Sequence, residues 1–164
     1  MWRHGDFMTL RFVELNATQK KLLEAAERAR ETAYCPYSSF HVGAALLAKD
    51  GTIHPGSNYE NVSYSMTICA ERSAIFGASA RGYKLFKAVA ISVRSGKSDV
   101  AEPAAPCGAC MQVLSEASFL AGNDIEIISA NTKKDRIMVT SIKRLAPVIF
   151  DPRSAGIKRK RFTR

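Results

Sequence analysis

The chain of 164 residues lacks an apolar run long enough to cross a membrane, because its longest runs, such as VGAALLA and IEIIS, have the length of strands. Its N-terminal stretch, MWRHGDFMTLRFVELN, mixes charges throughout and lacks the apolar core of a secretory signal. We therefore expect a cytoplasmic protein with no membrane partner. No internal repeat or low-complexity linker divides the sequence, and a chain of this length fits one hydrophobic core.

Cysteine is also scarce. The four cysteines, Cys35, Cys69, Cys107 and Cys110, are too few for a disulfide scaffold at this length. In a reducing compartment, closely spaced cysteines more often bind metal or carry out chemistry than form disulfides.

Acidic residues are absent from the C-terminal segment 153–164, which holds six lysine and arginine residues. The whole chain has a formal charge of +9, from 24 basic and 15 acidic residues. Without the six basic residues of this segment, 18 basic and 15 acidic residues remain, a charge of only +3. We expect residues 153–164 to form a solvated, flexible basic tail, with nucleic acid or another acidic partner as the alternative.

Hydrophobic spacing predicts helices that alternate with strands. After an irregular extension over residues 1–15, a helix is expected to begin at Asn16, which can form a capping box with Gln19. A hairpin is predicted from a first strand at about Phe40 to Ala48, a turn at Asp50-Gly51 and a return strand. Pro55 lacks a donor for the ladder, so we expect that return strand to be an edge strand or to bulge at this residue.

Three further strands are predicted at FKAVAISV, DIEIISA and DRIMVTS, and two further helices at about Ile68 to Ala80 and Cys107 to about Ala117. This order predicts an α/β fold with a central mixed five-stranded sheet flanked by helices. We expect one domain over residues 1–152.

The stretch PCGAC contains two cysteines at the start of the third predicted helix. Pro106 suits a first helical position, and Ala105 before it has no side-chain oxygen with which to cap the helix. A thiolate at Cys107 in the first turn would satisfy the helix start, because a helix N-terminus lowers the pKa of a thiol. Cys110 falls on the buried face. Alone, this pair fits a metal site, a redox pair or two core thiols.

The stretch TICAERSA places Cys69 in the first turn of another helix, behind Thr67 as its expected cap. Three cysteines at two helix starts give three thiolates with an open fourth position, a pattern typical of catalytic rather than structural zinc. Glu71 alone would be a solvated helix residue. Cys69 and Glu71 can approach one metal only if it lies off the end of the helix.

CAE followed by PCGAC resembles the zinc-dependent cytidine deaminase family, and in particular its short-chain, homotetrameric members with three cysteine ligands. The segments AYCPYSSFHVGAALL, GSNYENVSYSMTICAERSAI, PCGACMQVLSE and LAPVIFDP are similar to family segments in the same order. The resemblance covers about residues 18–152.

The resemblance implies one zinc ion per chain, held by Cys69, Cys107 and Cys110, with a water or hydroxide as the fourth ligand. Glu71 would take the proton of that water and deliver it to N3 of the pyrimidine, and ammonia would leave after attack at C4.

The resemblance also implies contacts with the nucleoside. Asn58 and Glu60 match the residues that hold the ribose 3′-hydroxyl, and Phe40 matches an aromatic residue that packs on the pyrimidine. The backbone of Ala70 would read the edge of the base, and the carbonyl of Ala105 would accept a hydrogen bond from the leaving amine.

Arg72 is expected beside the metal for a reason of charge. Three thiolates on Zn²⁺ leave a net charge of −1, which an adjacent arginine offsets in part. The family commonly has arginine where Met111 stands, so this compensation is expected to depend more on Arg72. Tyr64 and Phe150 match positions that reach a neighbouring subunit's active site in the homotetramers.

We therefore expect a hydrolase of pyrimidine salvage that deaminates cytidine and 2′-deoxycytidine with zinc-activated water. The first alternative is a deaminase of a modified cytosine nucleoside, such as the blasticidin S type, although NYEN supplies the ribose-holding pair. The second is a nucleic-acid-binding or editing protein that uses the basic tail. A non-catalytic zinc fold is disfavoured by the open fourth position and by Glu71.

Overall fold

A computed structural model describes residues 8–163, in which strands and helices alternate as the hydrophobic spacing predicts. The strands are β1 (Met8–Leu10), β2 (Phe40–Ala48), β3 (Ile53–Ser57), β4 (Phe86–Ser95), β5 (Glu126–Ala130) and β6 (Ile137–Ser141). The helices are α1 (Ala17–Arg30), α2 (Ala70–Ala80), α3 (Gly108–Ala121) and α4 (Ile142–Leu145). Short 3-10 turns lie at Phe12–Glu14, Tyr64–Met66 and Pro152–Ala155.

The six strands form one mixed sheet in the order β1-β6-β5-β4-β2-β3, in which only the β4–β5 pair is parallel. Successive strand residues point to opposite faces, so Ala44 and Leu46 join one hydrophobic cluster while Ala45 joins another. Helix α1 packs on one face, and α2, α3 and α4 pack on the other. The sheet is thus the middle layer of a three-layer α/β fold, which confirms the predicted class.

The prediction of five strands was wrong by one strand, because residues 8–10 form β1. This strand pairs antiparallel with β6, with Leu10 opposite Ile137. The expectation of an irregular extension is therefore wrong for residues 8–14, while residues 1–7 lie outside the described part of the chain. A strand of three residues is too short to show the alternation of period two on which strand prediction depends.

Helix α1 begins as its sequence predicts. The Asn16 side chain accepts a hydrogen bond from the Gln19 amide (2.9 Å), and the Gln19 side chain accepts one from the Asn16 amide (3.0 Å). The helix packs so closely on β2 that a Cβ at Gly43 would lie 2.0 Å from the carbonyl oxygen of Ala26. Glycine at this position therefore sets the distance between α1 and the sheet.

The hairpin of β2 and β3 also forms as predicted, with Ala45 opposite Pro55. Strand β3 is the edge strand of the sheet, where the missing N–H of proline breaks no ladder. On the other face, a Cβ at Gly56 would lie 2.4 Å from the backbone nitrogen of Ala74 in α2. This close approach fixes α2, and with it the residues at its N-terminus, against the sheet.

His54 is a buried histidine of β3. Its ring centroid lies 4.2 Å from that of Tyr83 and 6.4 Å from that of Phe86, and its Nε2 has no hydrogen-bond partner within residues 8–163. Burial, aided by the positive charge of Arg81, lowers the pKa of this imidazole, and Asp50 opposes the shift. The folded protein therefore favours the neutral imidazole.

We expect the free energy of unfolding to fall as the pH drops below about 6.5, because the unfolded chain then binds a proton at His54 more readily than the folded chain. His54→Leu should reduce this dependence. Thermal melts of the metal-loaded wild type and variant at about pH 7.5 and about pH 5.5 test the expectation. Equal losses of melting temperature in the two proteins would contradict it.

The segment after α4 turns through Pro152–Ala155, where the Asp151 carboxylate accepts from the Arg153 amide (2.8 Å) and pairs with its guanidinium (2.6 Å). Farther along, Arg159 lies over the C-terminal end of α3, so that a Cβ at Gly122 would lie 1.5 Å from its Nη1. The carbonyls at a helix C-terminus favour a cation there. Within residues 8–163, no helix is both long and apolar enough to span a bilayer.

Candidate metal centre and active site

Helices α2 and α3 each begin directly after a cysteine. Cys69 and Cys107 are the N-cap residues, with extended backbone dihedrals, and neither sulfur accepts a capping hydrogen bond from a backbone amide of its own helix. Both helices pack on the same face of the sheet, which brings the two cysteines together. The sulfurs occupy the place that capping oxygens normally take, where the helix dipole favours the thiolate.

The predicted helix starts therefore need correction. We predicted that both cysteines lie in first helical turns, that Thr67 caps α2 and that Pro106 takes the first position of α3. Instead, the Thr67 hydroxyl accepts a hydrogen bond from the Asn61 amide (3.3 Å), and Pro106 precedes the cap of α3. Cysteine is uncommon as a cap, so the usual capping signals pointed to the wrong residues.

The three sulfurs of Cys69, Cys107 and Cys110 form one cluster. The Sγ atom of Cys107 lies 3.7 Å from that of Cys69 and 3.6 Å from that of Cys110, and all three lie within 4.8 Å of one another. Disulfide sulfurs would lie only ~2 Å apart. Two thiolates on one tetrahedral zinc, each bonded at ~2.3 Å, stand ~3.8 Å apart. The cluster thus has the spacing of a zinc site.

The charges in the cluster also fit a cation. The Cys110 thiol donates a hydrogen bond that lowers the pKa of Cys69, and the nearby Arg72 guanidinium lowers it further. Together they bring the pKa of Cys69 to about 5. The same hydrogen bond, together with burial, raises the pKa of Cys110. Thiolates so close together repel one another, so all three become anionic only with a positive ion among them. A divalent metal that prefers sulfur ligands meets that requirement.

Arg72 lies beside the cluster, as predicted from charge. Its Nη2 donates to the sulfur of Cys69 (3.4 Å) and to the carbonyl of Thr67 (3.3 Å). Its buried Nε has no hydrogen-bond partner within residues 8–163. Met111, which stands where the resemblance implies arginine, packs against the apolar core instead.

Glu71 is buried, with only 5% of its surface exposed. Burial raises the pKa of its carboxyl above the usual 4.5, and the adjacent Cys69 thiolate adds to the shift. Spacing alone counted against Glu71 and Cys69 sharing a face. However, Cys69 is the cap and does not follow the helical periodicity, while Glu71 is the second residue of α2. The two side chains can therefore approach the same point off the helix end.

Asn58 bonds to the start of β2 with both ends of its amide. Its Oδ1 accepts from the Val42 amide (2.9 Å), and its Nδ2 donates to the Phe40 carbonyl (2.9 Å). An amide has two donor hydrogens and two acceptor lone pairs, so one of each stays available for a ligand.

Glu60 is buried and accepts three hydrogen bonds from one loop. Its Oε2 accepts from the amides of Tyr37 (3.0 Å) and Ser38 (3.2 Å), and its Oε1 accepts from the Ser38 hydroxyl. Burial works to raise the pKa of Glu60, but the hydrogen bonds from Ser38 and Tyr37 outweigh it and hold the pKa below 4.5. The side chain is thus a carboxylate at neutral pH.

An antiparallel bridge joins this polar group to the cysteine cluster. The amide and carbonyl of Tyr59 bond to those of Ile68 at 3.0 Å each, directly before Cys69. Asn58 and Glu60 flank Tyr59, so the bridge joins the segment that carries both residues to the segment that leads into Cys69.

The other predicted site residues lie as follows. Ala70 is buried at the first position of α2, and Ala105 is exposed just before Pro106. Tyr64 and Phe150 are exposed, by 62% and 70%. The ring of Tyr64 lies against Tyr37, with 5.7 Å between centroids.

Sequence reasoning missed Ser38, whose hydroxyl contacts both the Glu60 carboxylate and the Phe40 amide. The signal that could have identified it is local. A serine side chain often accepts a hydrogen bond from the backbone amide two residues later, which forms a turn. In PYSSF, Ser38 and Phe40 have this spacing.

Comparison with known proteins agrees with this geometry. Residues 16–121 match the family model described as the cytidine and deoxycytidylate deaminase zinc-binding region. A cytidine deaminase of Sporosarcina psychrophila is 47% identical over 131 residues, which are 80% of this chain and 90% of the relative. One from Halalkalibacterium halodurans is 42% identical over 132 residues, 80% of this chain and 93% of the relative. The crystal structure of a cytidine deaminase from Burkholderia pseudomallei superposes with a TM-score of 0.70 at 45% identity, over 79% of this chain and 97% of that one.

A three-layer α/β fold with three cysteines at two adjoining helix starts defines a zinc-binding enzyme. The family match covers most of the chain, and the relatives are matched over nearly their whole length. The chain belongs to the cytidine and deoxycytidylate deaminase family, as its motifs predicted.

Proposed function

We propose that the protein hydrolyses cytidine and 2′-deoxycytidine to uridine and 2′-deoxyuridine with release of ammonia, as a step of pyrimidine salvage. The observation that carries the proposal is the buried Glu71 at the start of α2, beside three sulfurs spaced for one zinc ion. A carboxyl with a raised pKa next to a metal site suits proton transfer in hydrolysis. The names of the relatives support cytidine as substrate.

Cys69, Cys107 and Cys110 would hold the zinc. When bound, zinc would act as a Lewis acid and lower the pKa of a coordinated water toward ~7. Three thiolates donate enough charge to weaken this effect. The hydrogen bond from Arg72 to the Cys69 sulfur withdraws part of that charge and so supports the acidity of the water.

Glu71 moves the protons in the proposed reaction. Its carboxylate accepts a proton from water and passes it to N3 of the cytosine, while the resulting hydroxide forms a bond to C4. Glu71 then takes the proton of the new hydroxyl group and delivers it to the amino group, so that the C4–N bond breaks and ammonia leaves. A group that both takes and gives up a proton works best when its pKa lies near the working pH. Burial shifts the pKa of Glu71 in that direction.

Asn58, Glu60 and Phe40 would hold the nucleoside. The free N–H of Asn58 donates to the ribose 3′-hydroxyl, and the Glu60 carboxylate accepts from it. The Phe40 backbone bonds to Asn58, and its half-buried ring, which packs against the core, would also pack on the pyrimidine.

Ala70 and Ala105 would recognise the base through their backbone. Ala70 is the first residue of α2, and the first N–H groups of a helix have no partner inside it, so this amide can donate to the base edge. The Ala105 carbonyl, next to the cap of α3, would accept from the amino group that leaves.

We also propose a homotetramer in which Tyr64 and Phe150 reach neighbouring subunits. Large apolar side chains that are exposed and lie together mark contact surfaces. Tyr64 and Phe150 are both exposed, and the ring of Tyr64 lies against that of Tyr37. Light scattering that gave the mass of one chain in solution would refute this assembly.

The remaining proposals concern organisation and location. We propose that residues 1–152 form the single catalytic domain, with 153–164 as a flexible basic tail, and that the enzyme works in the cytoplasm. The free thiols of Cys35, Cys69, Cys107 and Cys110 support a reducing compartment. The relatives named above are described as cytidine deaminases, and these names do not support nucleic acid as a partner of the tail.

One assay tests the proposed reaction. The loss of ultraviolet absorbance on deamination is followed with cytidine, 2′-deoxycytidine and blasticidin S, while zinc is counted per chain. We expect turnover of the first two nucleosides and about one zinc per chain. Turnover of blasticidin S alone would replace the proposal with the modified-nucleoside alternative, and a zinc-loaded protein inactive on all three would reject it.

A further inference from the structure

We infer that Ser38 is a positioning residue for nucleoside recognition. Its hydroxyl fixes the carboxylate of Glu60, which would bind the ribose, relative to Phe40, which would pack on the pyrimidine. The inference rests on the proposed roles of Glu60, Asn58 and Phe40. It adds a residue that does not touch the substrate and acts through the side chains that would bind the nucleoside.

The hydrogen bonds of the Ser38 hydroxyl have only one possible direction. A carboxylate can only accept, so the hydroxyl donates its single proton to Oε1 of Glu60. A backbone amide can only donate, so the same oxygen accepts from the Phe40 N–H at 3.0 Å. Ser38 therefore links Glu60 to Phe40 through one atom.

The link continues to the third substrate residue. The Phe40 carbonyl accepts from the Asn58 side chain, and that side chain also accepts from the Val42 amide, both at 2.9 Å. One chain of hydrogen bonds thus runs from Glu60 through Ser38 and Phe40 to Asn58. A change at Ser38 therefore affects both residues that would bind the ribose, Glu60 and Asn58.

The loop backbone is shaped to make this link. Ser39 has a φ of 58°, in the left-handed region that serine rarely adopts, and its amide bonds to the Cys35 carbonyl at 3.1 Å. This sharp turn brings the Phe40 amide back to the Ser38 oxygen. Strained backbone of this kind persists where the surrounding contacts determine it, often at ligand sites.

The geometry also selects the oxygen that receives the ribose. Each carboxylate oxygen has two acceptor positions, and Oε2 of Glu60 uses both for the amides of Tyr37 and Ser38. Oε1 uses one for the Ser38 hydroxyl and keeps one. The ribose 3′-hydroxyl therefore bonds to Oε1, the oxygen whose position Ser38 sets.

The test compares cytidine with 3′-deoxycytidine, which lacks the hydroxyl that Glu60 would bind. Ser38→Ala should raise the KM for cytidine about tenfold, with little change in kcat, and should reduce the preference for cytidine over 3′-deoxycytidine by a similar factor. Ser38→Thr keeps the hydroxyl and should stay close to the wild type in both respects.

Ser98→Ala is the matched control. It makes the same chemical change at an exposed serine in the loop after β4, outside the residues that would hold the nucleoside. We expect its KM and its preference to match the wild type. Zinc per chain and melting temperature, measured for each variant, show that the site is intact.

Glu60→Gln separates this inference from the proposed function. If Glu60→Gln keeps the full preference for cytidine, the ribose role of Glu60 fails, and the role of Ser38 fails with it. If Glu60→Gln loses the preference but Ser38→Ala keeps it, only the Ser38 inference is overturned. An equal fall in kcat for both nucleosides in Ser38→Ala, without a change in preference, would also overturn it.

Discussion

Replacement of Glu71 by glutamine should leave zinc bound and lower kcat by about 10²–10⁴-fold, the usual contribution of a positioned acid–base group. Glutamine has nearly the same shape but cannot take up a proton from water. Because burial raises the pKa of Glu71, the carboxylate is costly to bury, so the neutral amide should not lower the melting temperature. Turnover, metal content and thermal melting are measured on the same preparations.

Glu116→Gln is the control for this change, since Glu116 is an exposed residue of α3. It should match the wild type in all three measurements. Near-normal turnover in Glu71→Gln would remove Glu71 from its proposed role. Loss of zinc in Glu71→Gln would show instead that the residue supports the metal site.

Cys107→Ala should abolish stoichiometric zinc binding. Cys107 is exposed, so its truncation opens no cavity in the core, and the loss of the metal can be separated from a loss of packing. We expect activity to fall at least about 100-fold, since changes around metal ligands already cost 10–100-fold. The melting temperature should fall to that of the wild type treated with a chelator, because metal that binds only the folded state stabilises it.

The matched control is Cys35→Ala. Cys35 is a buried cysteine outside the cluster, so this variant should keep its zinc even if it loses some stability. Full zinc occupancy in Cys107→Ala would contradict the three-thiolate site. A melting temperature of Cys107→Ala well below that of chelated wild type would indicate a structural role beyond metal binding.

The sequence alone predicted the features that depend on local chemistry. The capping box of Asn16 and Gln19 marks the start of α1, and Pro55 marks the edge strand, because each residue acts through its own backbone and near neighbours. The three cysteines were found by motif, and their sulfurs lie together. Glu71, found by the same motif, is buried at the start of α2.

The features that could not be predicted from the sequence depend on contacts between residues that are far apart along the chain. Strand β1 exists because β6 offers it an edge, and no pattern within three residues records this. The position of Cys69 as a cap removes the spacing argument against Glu71, and the usual capping residues do not signal it. Ser38 gains its role only when Glu60 folds back over its loop.

The placement of cysteines at the caps of two helices also affects how the chain folds. Cys69 and Cys107 are 38 positions apart, and a metal shared by them crosslinks that span. To bind one ion with both cysteines, the unfolded chain would have to close a loop of that span, and on the chain-entropy scale used for disulfides this closure costs about 4 kcal/mol at 25 °C. Cys107 and Cys110 enclose only two residues and add little to this cost. The ion that serves the chemistry would thus also act as a tether between the two halves of the sequence.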